Sequence, residues 1–571
     1  MDVAATFCAT VVDEWVRAGV TDAVVAPGSR STPMVLALAG DARIRLHVFL
    51  DERSAAFFAL GLGLRAGDPA PVLTTSGTAA AELHPAVIES HHAGVPLLVV
   101  TADRPPEAHG VGAPQTIEQA DLYGRAVRWR ADPGVPDPAV AHSWRSLASR
   151  AVAEARGCGG RPGPVHLNLA FREPLVGRPG PLPPGRPGGS AWHRAQSAPA
   201  AAPPAIDELA GRLWGRSGVI VSGAGSGDPA AVHRLADRLG WPVLAAAASA
   251  ARLPAPATVA AFDALLRHGP FARRARPEVV LRLGALPASR VLAEWLASSQ
   301  ADQVAVETHG VWFDPDHSAA TVLVAEPDAV CGALADQRPA PAPDGWTRLW
   351  ADGERAAQEA VGRVLAGHRE PTEPGVARAL VAGLPPDAGL VVASSMPVRD
   401  VEWYAAPRAG IRVMANRGAN GIDGTVSTVL GVAAGSGGRP TVGLVGDLAF
   451  LHDAGSLVGA ADRGLDAVIV VVDNRGGGIF SFLPQATSLP APLLERLFVV
   501  PHYVDLVALA GVHGLTASEI DSAAALAPAV VSALDAGGIT VIVARTDRAA
   551  NVAVHDELHA AVSTALDAVP V

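Results

Sequence analysis

An aspartate closing one apolar run and an asparagine closing the next can hold a hard cation between them. Asp447 follows VGLVG, and Asn474 comes 27 positions later, after AVIVVVD. Both runs read as short strands of a parallel sheet buried on both faces. An interval of that length is one strand–helix–strand crossover, so the two polar ends belong to neighbouring strands and face one object, where α/β sheets keep their ligands. A carboxylate, an amide oxygen and a backbone carbonyl freed at Arg475-Gly476 form an oxygen-only set. That set suits Mg2+ (or Mn2+), with phosphate oxygens and water completing the shell. The segment LHDAGSLVGAADRG has helical spacing and stops on Gly464, so first-turn N–H groups beside Gly446-Asp447 would favour a phosphate. The same residues also fit an N-cap aspartate and a plain strand-end turn.

The chain that must position this pair has 571 residues, too many for one core, and its length implies three or four domains. Hydrophobic residues make up 49% and charged residues 18%, as in a globular protein. No stretch approaches the roughly 18 apolar residues of a membrane span. MDVAATFCATVVDEW lacks a basic start and carries Asp2, Asp13 and Glu14, so no signal peptide is expected. Three widely spaced cysteines (Cys8, Cys158, Cys331) fit buried thiols in a reducing cytoplasm. A net charge of −11 gives no basic face for nucleic acid. All 45 basic residues other than histidine are arginine. The absence of lysine excludes Schiff-base and pyridoxal-phosphate chemistry, and P-loop nucleotidases as well.

Taken in order, residues 1–175 alternate helix and strand as a first α/β unit. A Pro/Gly/Ala linker follows at 176–204. A central α/β unit spans 205–335, with strands at GVIVSG, PVLAAA, VVLRLG, QVAVET and TVLVAE. A second linker covers 336–345, and a third α/β unit, 346–571, holds the Asp447–Asn474 pair. The fold class is therefore α/β, with three doubly wound parallel-sheet domains. The first and third units repeat each other, because Ser76 to Asp103 in PVLTTSGTAAAELHPAVIES–PLLVVTADRP spans the same interval as Asp447 to Asn474. SGAGSGDP in the central unit departs from GxGxxG at Asp228 and reads as a turn without a dinucleotide. His84, His91, His92 and His109 lack metal-ligand spacing and read as structural, and His452 as part of the helix after Asp447.

The Val442–Phe480 segment resembles the diphosphate- and metal-binding motif of thiamine-diphosphate enzymes, with Leu448 standing where most of them have a third glycine. Further segments (APGSRSTP, FLDERSAAFFALG, TSGTAAAELHPAVIE, TADRPPE, GAPQTIEQ, SSMPVRD, NRGANGIDGTVST, GDLAFLHD and VVDNRGGGIFSFLP) are similar to one branch of that superfamily. That branch is the 2-succinyl-5-enolpyruvyl-6-hydroxy-3-cyclohexene-1-carboxylate synthase family of menaquinone biosynthesis. The matches cover both outer units, whereas the central unit and linkers match poorly.

The resemblance implies pyrimidine-binding, central and diphosphate-binding domains in a cytoplasmic homodimer or dimer of dimers, each cofactor lying between two chains. It implies decarboxylation of 2-oxoglutarate and addition of the succinyl carbanion equivalent to isochorismate. The alternatives are another thiamine-dependent 2-oxoacid decarboxylase, an acetolactate-type synthase, or a non-catalytic paralogue. Thiamine catalysis needs a carboxylate on the aminopyrimidine ring so that the cofactor's own amino group takes the thiazolium proton. Glu52 has that place, although Asp51-Glu52 alone would read as a helix cap and first-turn acid. Ser76, Gly77, Ile422, Gly446, Asp447, Leu448, Ala449, Asn474, Gly477, Gly478 and Ile479 would complete the cofactor site, with Asp447, Asn474 and Gly476 as metal ligands. Gln115 would hold a polar intermediate near the thiazolium. Both substrates are dicarboxylates, which guanidinium forks grip bidentately. Arg30, Arg104, Arg399 and Arg417 stand in matching motifs, and Arg290 in a looser one. Ser395 and Asn420 would add hydrogen bonds, and Phe480 and Leu483 an apolar wall.

Overall fold

Long β-branched runs between short helical segments build three six-stranded sheets in this computed structural model, which describes residues 2–194 and 203–569. Residues 195–202 of the expected first linker lie outside the described residues. The first sheet contains β1 (Asp22–Ala26), β2 (Arg45–Val48), β3 (Pro71–Thr74), β4 (Leu97–Asp103), β5 (Trp129–Ala131) and β6 (Pro164–Ala170). The second contains β7 (Gly218–Ser222), β8 (Val243–Ala245), β9 (Thr258–Val259), β10 (Val279–Leu283), β11 (Asp302–Glu307) and β12 (Ala319–Val324). The third contains β13 (Ala388–Val392), β14 (Ile411–Met414), β15 (Thr441–Gly446), β16 (Ala467–Asp473), β17 (Thr516–Ile520) and β18 (Ile539–Arg545). Every pairing is parallel.

The first sheet runs β2-β1-β3-β4-β6-β5 and the third β14-β13-β15-β16-β18-β17, one permutation used twice. The sequence repeat is thus a repeat of topology. The central order, β9-β8-β7-β10-β11-β12, differs and has the 3-2-1-4-5-6 arrangement of doubly wound folds. Its SGAGSGDP turn leads into a helix that Asp228 caps by accepting the Ala230 N–H at 3.0 Å. The protein's own carboxylate therefore occupies that helix start.

The outer sheets share one hydrophobic core. Phe57, Phe58 and Val72 of the first unit pack with Val429, Leu430, Phe450 and Val471 of the third. The contact is made by two helices, Glu52–Ala66 and Thr425–Ala434, which cross at glycines. A Cβ on Gly431 would overlap the Phe58 carbonyl oxygen, and one on Gly61 the Thr428 carbonyl oxygen. Asp453 bridges the same seam: its carboxylate accepts the Ser427 N–H at 2.6 Å, the Ser427 hydroxyl at 3.0 Å and the Ser54 hydroxyl at 3.5 Å.

Two sequence expectations need correction. The helix expected from Leu451 to Gly464 ends at His452, and short 3-10 turns follow at Ala454–Leu457 and Ala460–Arg463. Asp453 is committed to Ser427, and Gly459 takes φ +68°, so the helical path cannot continue. The expected boundary at 345–346 does not separate cores either. Trp346, Trp350 and Val361 of helix Trp346–Gly367, with Leu558 and Val562 of helix Arg548–Asp567, pack into the central core.

Gly431→Ala tests the helix crossing. Alanine gains about 1 kcal/mol of helix propensity over glycine, but overlap with rigid backbone costs about 1–3 kcal/mol. Urea unfolding is expected to show net destabilisation, and a more stable variant would contradict the close approach.

Candidate active site

The site begins where β15 and β16 end side by side, with Gly446 opposite Val472 in the ladder. Asp447 is buried at the start of helix Asp447–His452. Its Oδ1 accepts the Leu448 N–H at 2.6 Å, and its Oδ2 accepts the Gly476 N–H at 2.8 Å. The carboxylate is thus tied to both strand ends. Asn474 donates from Nδ2 to Glu373 Oε1 at 2.7 Å, while its Oδ1 is buried without any hydrogen-bond partner. A Cβ on Gly478 would lie 2.5 Å from that Nδ2, so the glycine makes room for the amide. The Gly476 carbonyl accepts the Gly478 N–H at 2.9 Å and keeps a second lone pair. In front of Gly446 there is open space, with nothing within 4 Å of where a Cβ would stand.

Negative charge is concentrated behind these atoms. Asp447, Glu373 and Asp400 are all buried, and burial pushes each carboxyl above its usual range. The Gly476 N–H and His502 oppose the shift at Asp447, and His555 opposes it at Asp400. Neighbouring Asp400 adds to the shift at Glu373. His502 Nε2 lies 3.1 Å from Asp447 Oδ2 and 3.9 Å from Asp473 Oδ1, and these three side chains could also hold a metal ion. The orphaned Asn474 oxygen beside Asp447 fits a hard divalent cation, which would satisfy the oxygen and offset the buried charge.

The first sheet presents a different set. The Ser76 hydroxyl donates to the Gln115 carbonyl at 2.9 Å, and Gln115 Nε2 donates to the Ser76 carbonyl at 2.8 Å. The Gly77 N–H donates to Gln119 Oε1 at 2.8 Å. Arg30 is buried, donates to the Phe171 carbonyl at 2.9 Å and lies 3.4 Å from Glu173. Burial and then the positive charge of Arg104 lower its pKa. The Nε atoms of Arg30 and Arg104 are both buried without partners among the described residues, and such a pair could take an anion. Asp51 caps helix Glu52–Ala66 by accepting from Arg53 and Ser54, so the cap reading holds for Asp51. The half-buried Glu52 side chain makes no hydrogen bond or ion pair among the described residues.

Arg399, Arg417 and Asn420 stand on the third unit's side. Arg399 donates to the Ser395 carbonyl at 2.6 Å, and Arg417 has no hydrogen-bond partner among the described residues. Burial lowers the pKa of both, with Glu402 the opposing charge. Arg417 and Asn420 line a cavity of about 400 Å³ between the central and third units, together with Val398 and Glu402. Arg290 also reaches this cavity, but its side chain is 82% exposed and paired to Glu294 at 2.6 Å, a surface ion pair. Phe480 packs against Phe498 at 5.5 Å, Leu483 is half-buried nearby in sequence, and Ile422 rests on the shared core. Gln115, Ser395, Asn420 and Arg475 all take positive φ, from 57° to 74°. Such backbone costs on the order of 1 kcal/mol or more per residue and collects at functional sites.

Sequence reading missed four residues here. Glu373 lies 101 positions from Asn474 and His502 lies 55 from Asp447, beyond any local spacing rule. His502, which sequence reading does not single out, stands against the Asp447 carboxylate. Gln119 anchors Gly77, and Glu89 accepts the N–H groups of Gly418 at 2.7 Å and Ala419 at 2.6 Å. The outer match of TSGTAAAELHPAVIE to a family segment was the only signal near Glu89.

Three family models match the chain: "Thiamine pyrophosphate enzyme, N-terminal TPP binding domain" over residues 6–122, "Middle domain of thiamine pyrophosphate" over 190–392, and "Thiamine pyrophosphate enzyme, C-terminal TPP binding domain" over 400–544. Curated relatives are similar along nearly the whole chain. A protein of Myxococcus xanthus is 43% identical, covering 97% of each chain. One of Chloroflexus aurantiacus is 41% identical over 96% of this chain and 94% of its own. One of Thermobifida fusca is 41% identical over 97% of this chain and 98% of its own. All three are named 2-succinyl-5-enolpyruvyl-6-hydroxy-3-cyclohexene-1-carboxylate synthase.

Glu89 offers a test of how the Arg417–Asn420 loop is held. Hydrogen bonds to a charged group are worth about 1.5–3 kcal/mol each, so Glu89→Ala should speed amide hydrogen exchange at Gly418 and Ala419 by at least about tenfold. Unchanged protection there would mean that the loop is held by something else.

Proposed function

The chain belongs to the 2-succinyl-5-enolpyruvyl-6-hydroxy-3-cyclohexene-1-carboxylate synthase family of thiamine pyrophosphate enzymes, and from that membership we propose its reaction and the work of each residue. The enzyme joins 2-oxoglutarate to isochorismate with loss of CO2, a step of menaquinone biosynthesis. Bound thiamine diphosphate supplies the carbanion chemistry. The observation that carries the assignment is the Asp447 carboxylate beside the unpartnered Asn474 Oδ1, at the ends of adjacent strands.

Asp447, Asn474 Oδ1 and the Gly476 carbonyl hold Mg2+ or Mn2+ in this reading, and Gly446, Leu448, Ala449, Gly477, Gly478 and Ile479 line the diphosphate. Ser76, Gly77 and Ile422 orient the pyrimidine and thiazolium rings. Glu52 would hydrogen-bond the pyrimidine ring of the bound cofactor and hold or move the proton there. Its lack of partners among the described residues supports that role. So does the apolar ledge beside it, with Val48 55% and Leu50 77% exposed, which a second chain would cover. The site is therefore shared between the first unit of one chain and the third unit of another, in a homodimer or a dimer of dimers. Arg30 and Arg104 receive one carboxylate group, and Arg399 and Arg417 another, with Ser395, Asn420 and Gln115 completing the polar contacts. Phe480 and Leu483 exclude water, and Arg290 guards the rim of the cavity. We place the enzyme in the cytoplasm. Among the described residues no helix is long and apolar enough to cross a membrane.

Product identification by mass, with 2-oxoglutarate or pyruvate as donor and with or without isochorismate, tests the substrates. CO2 release and the coupled product are expected only with 2-oxoglutarate plus isochorismate at full rate, and a preference for pyruvate would defeat the assignment. Glu52→Gln should leave cofactor affinity nearly intact and lower kcat by about 10²–10⁴-fold, the usual worth of general acid–base catalysis. Unchanged turnover would remove Glu52 from the mechanism.

A further inference from the structure

Asparagine is nearly symmetrical in shape, and which end of its amide faces a cation decides between attraction and repulsion. Asn474, one strand over from Asp447, buries Oδ1 with no partner among the described residues, and an unsatisfied buried acceptor is costly. Something must hold the amide in that orientation. The atom in contact is Glu373 Oε1, which accepts the Nδ2 hydrogen at 2.7 Å.

We propose that Glu373 is the positioning residue of the cation site, fixing the Asn474 amide so that Oδ1 is the ligand. The proposal rests on the cation site described above and goes one layer behind it. Glu373 is buried in the first turn of helix Glu373–Gly383, which Thr372 caps by accepting the Gly375 N–H at 3.1 Å. Val376, Ala377, Leu380 and Val381 of that helix pack into the outer core of the third sheet, under Leu390, Leu444 and Val470. The acceptor is thus fixed to the same sheet that carries Asp447 and Asn474. Turning the amide over would break the Nδ2–H contact to Glu373 Oε1 and point N–H groups at the cation, an unfavourable contact in place of a favourable one. The absence of a Cβ at Gly478 keeps Nδ2 free to reach Glu373.

The test compares Glu373→Gln, which keeps an acceptor oxygen, with Glu373→Met, which removes it at similar volume. Mn2+ affinity of the full-length protein with thiamine diphosphate is read from free Mn2+ by electron paramagnetic resonance. The expected result is Mn2+ binding about 10–100-fold weaker in the Met variant, the usual cost of losing an outer-layer partner, with the Gln variant close to the parent. Parent-like affinity in the Met variant would overturn the proposal. So would a Gln variant as weak as the Met variant, because charge and not orientation would then be the cause. Should the Met variant not fold, Glu373→Leu is read in its place: weakened Mn2+ binding supports the proposal and parent-like binding overturns it. The parent and Asp447→Ala serve as controls. A parent that binds no Mn2+ refutes the cation site itself, whereas a binding parent with an unaffected Met variant refutes only the role of Glu373.

Discussion

The parallel register of β15 and β16 is the constraint on which the rest depends. It sets Asp447 and Asn474 on neighbouring strand ends, and the Gly476 N–H bound to the Asp447 carboxylate locks the turn between them. Burying three carboxylates around that turn is costly without a compensating charge. With an acceptor left open at Asn474, the arrangement fits a hard divalent cation. The glycines, the Glu373 contact and His502 all serve that geometry.

The first unit is a copy of the same topology. The shared permutation of the outer sheets brings their strand ends to equivalent places, and different residues occupy them: Ser76 and Asp103 in one, Asp447 and Asn474 in the other. Within one chain the two sheets are fused through the glycine crossing of their helices. Asp51 and Arg53, on either side of Glu52, are held beside Gly455 and His452, at the far end of the short helix that Asp447 begins. The Glu52 side chain has no partner among the described residues. Those contacts are the ground on which we propose a site completed by another chain.

Much of this was legible in the sequence because it is local. The AVIVVVD and VGLVG runs declare buried strands, the interval between them declares a crossover, and the equal interval in the first unit declares a repeat. What escaped reading is what only packing decides. Nothing in the chain order ties Glu373 to Asn474, His502 to Asp447 or Glu89 to the Gly418–Ala419 amides. Helical spacing after Asp447 was overruled by Asp453, whose carboxylate serves Ser427 across the seam. Two helices assigned by position to the third unit pack on the central core, since apolar faces follow the available surface and not the order of the chain. Arg290 stands at the rim of the cavity lined by Arg417 and pairs there with Glu294, one turn away on its own helix.

Complementation between two disabled chains tests the shared site most directly. Glu52→Gln and Asp447→Ala chains are each expected to be inactive alone. Coexpressed, a mixed dimer would contain one site with both defects and one with neither, restoring about a quarter of all sites under random pairing in a two-fold assembly. Recovery of that order is the predicted result. A mixture no more active than its inactive parents would show that Glu52 and Asp447 serve the cofactor from the same chain, and would contradict the account.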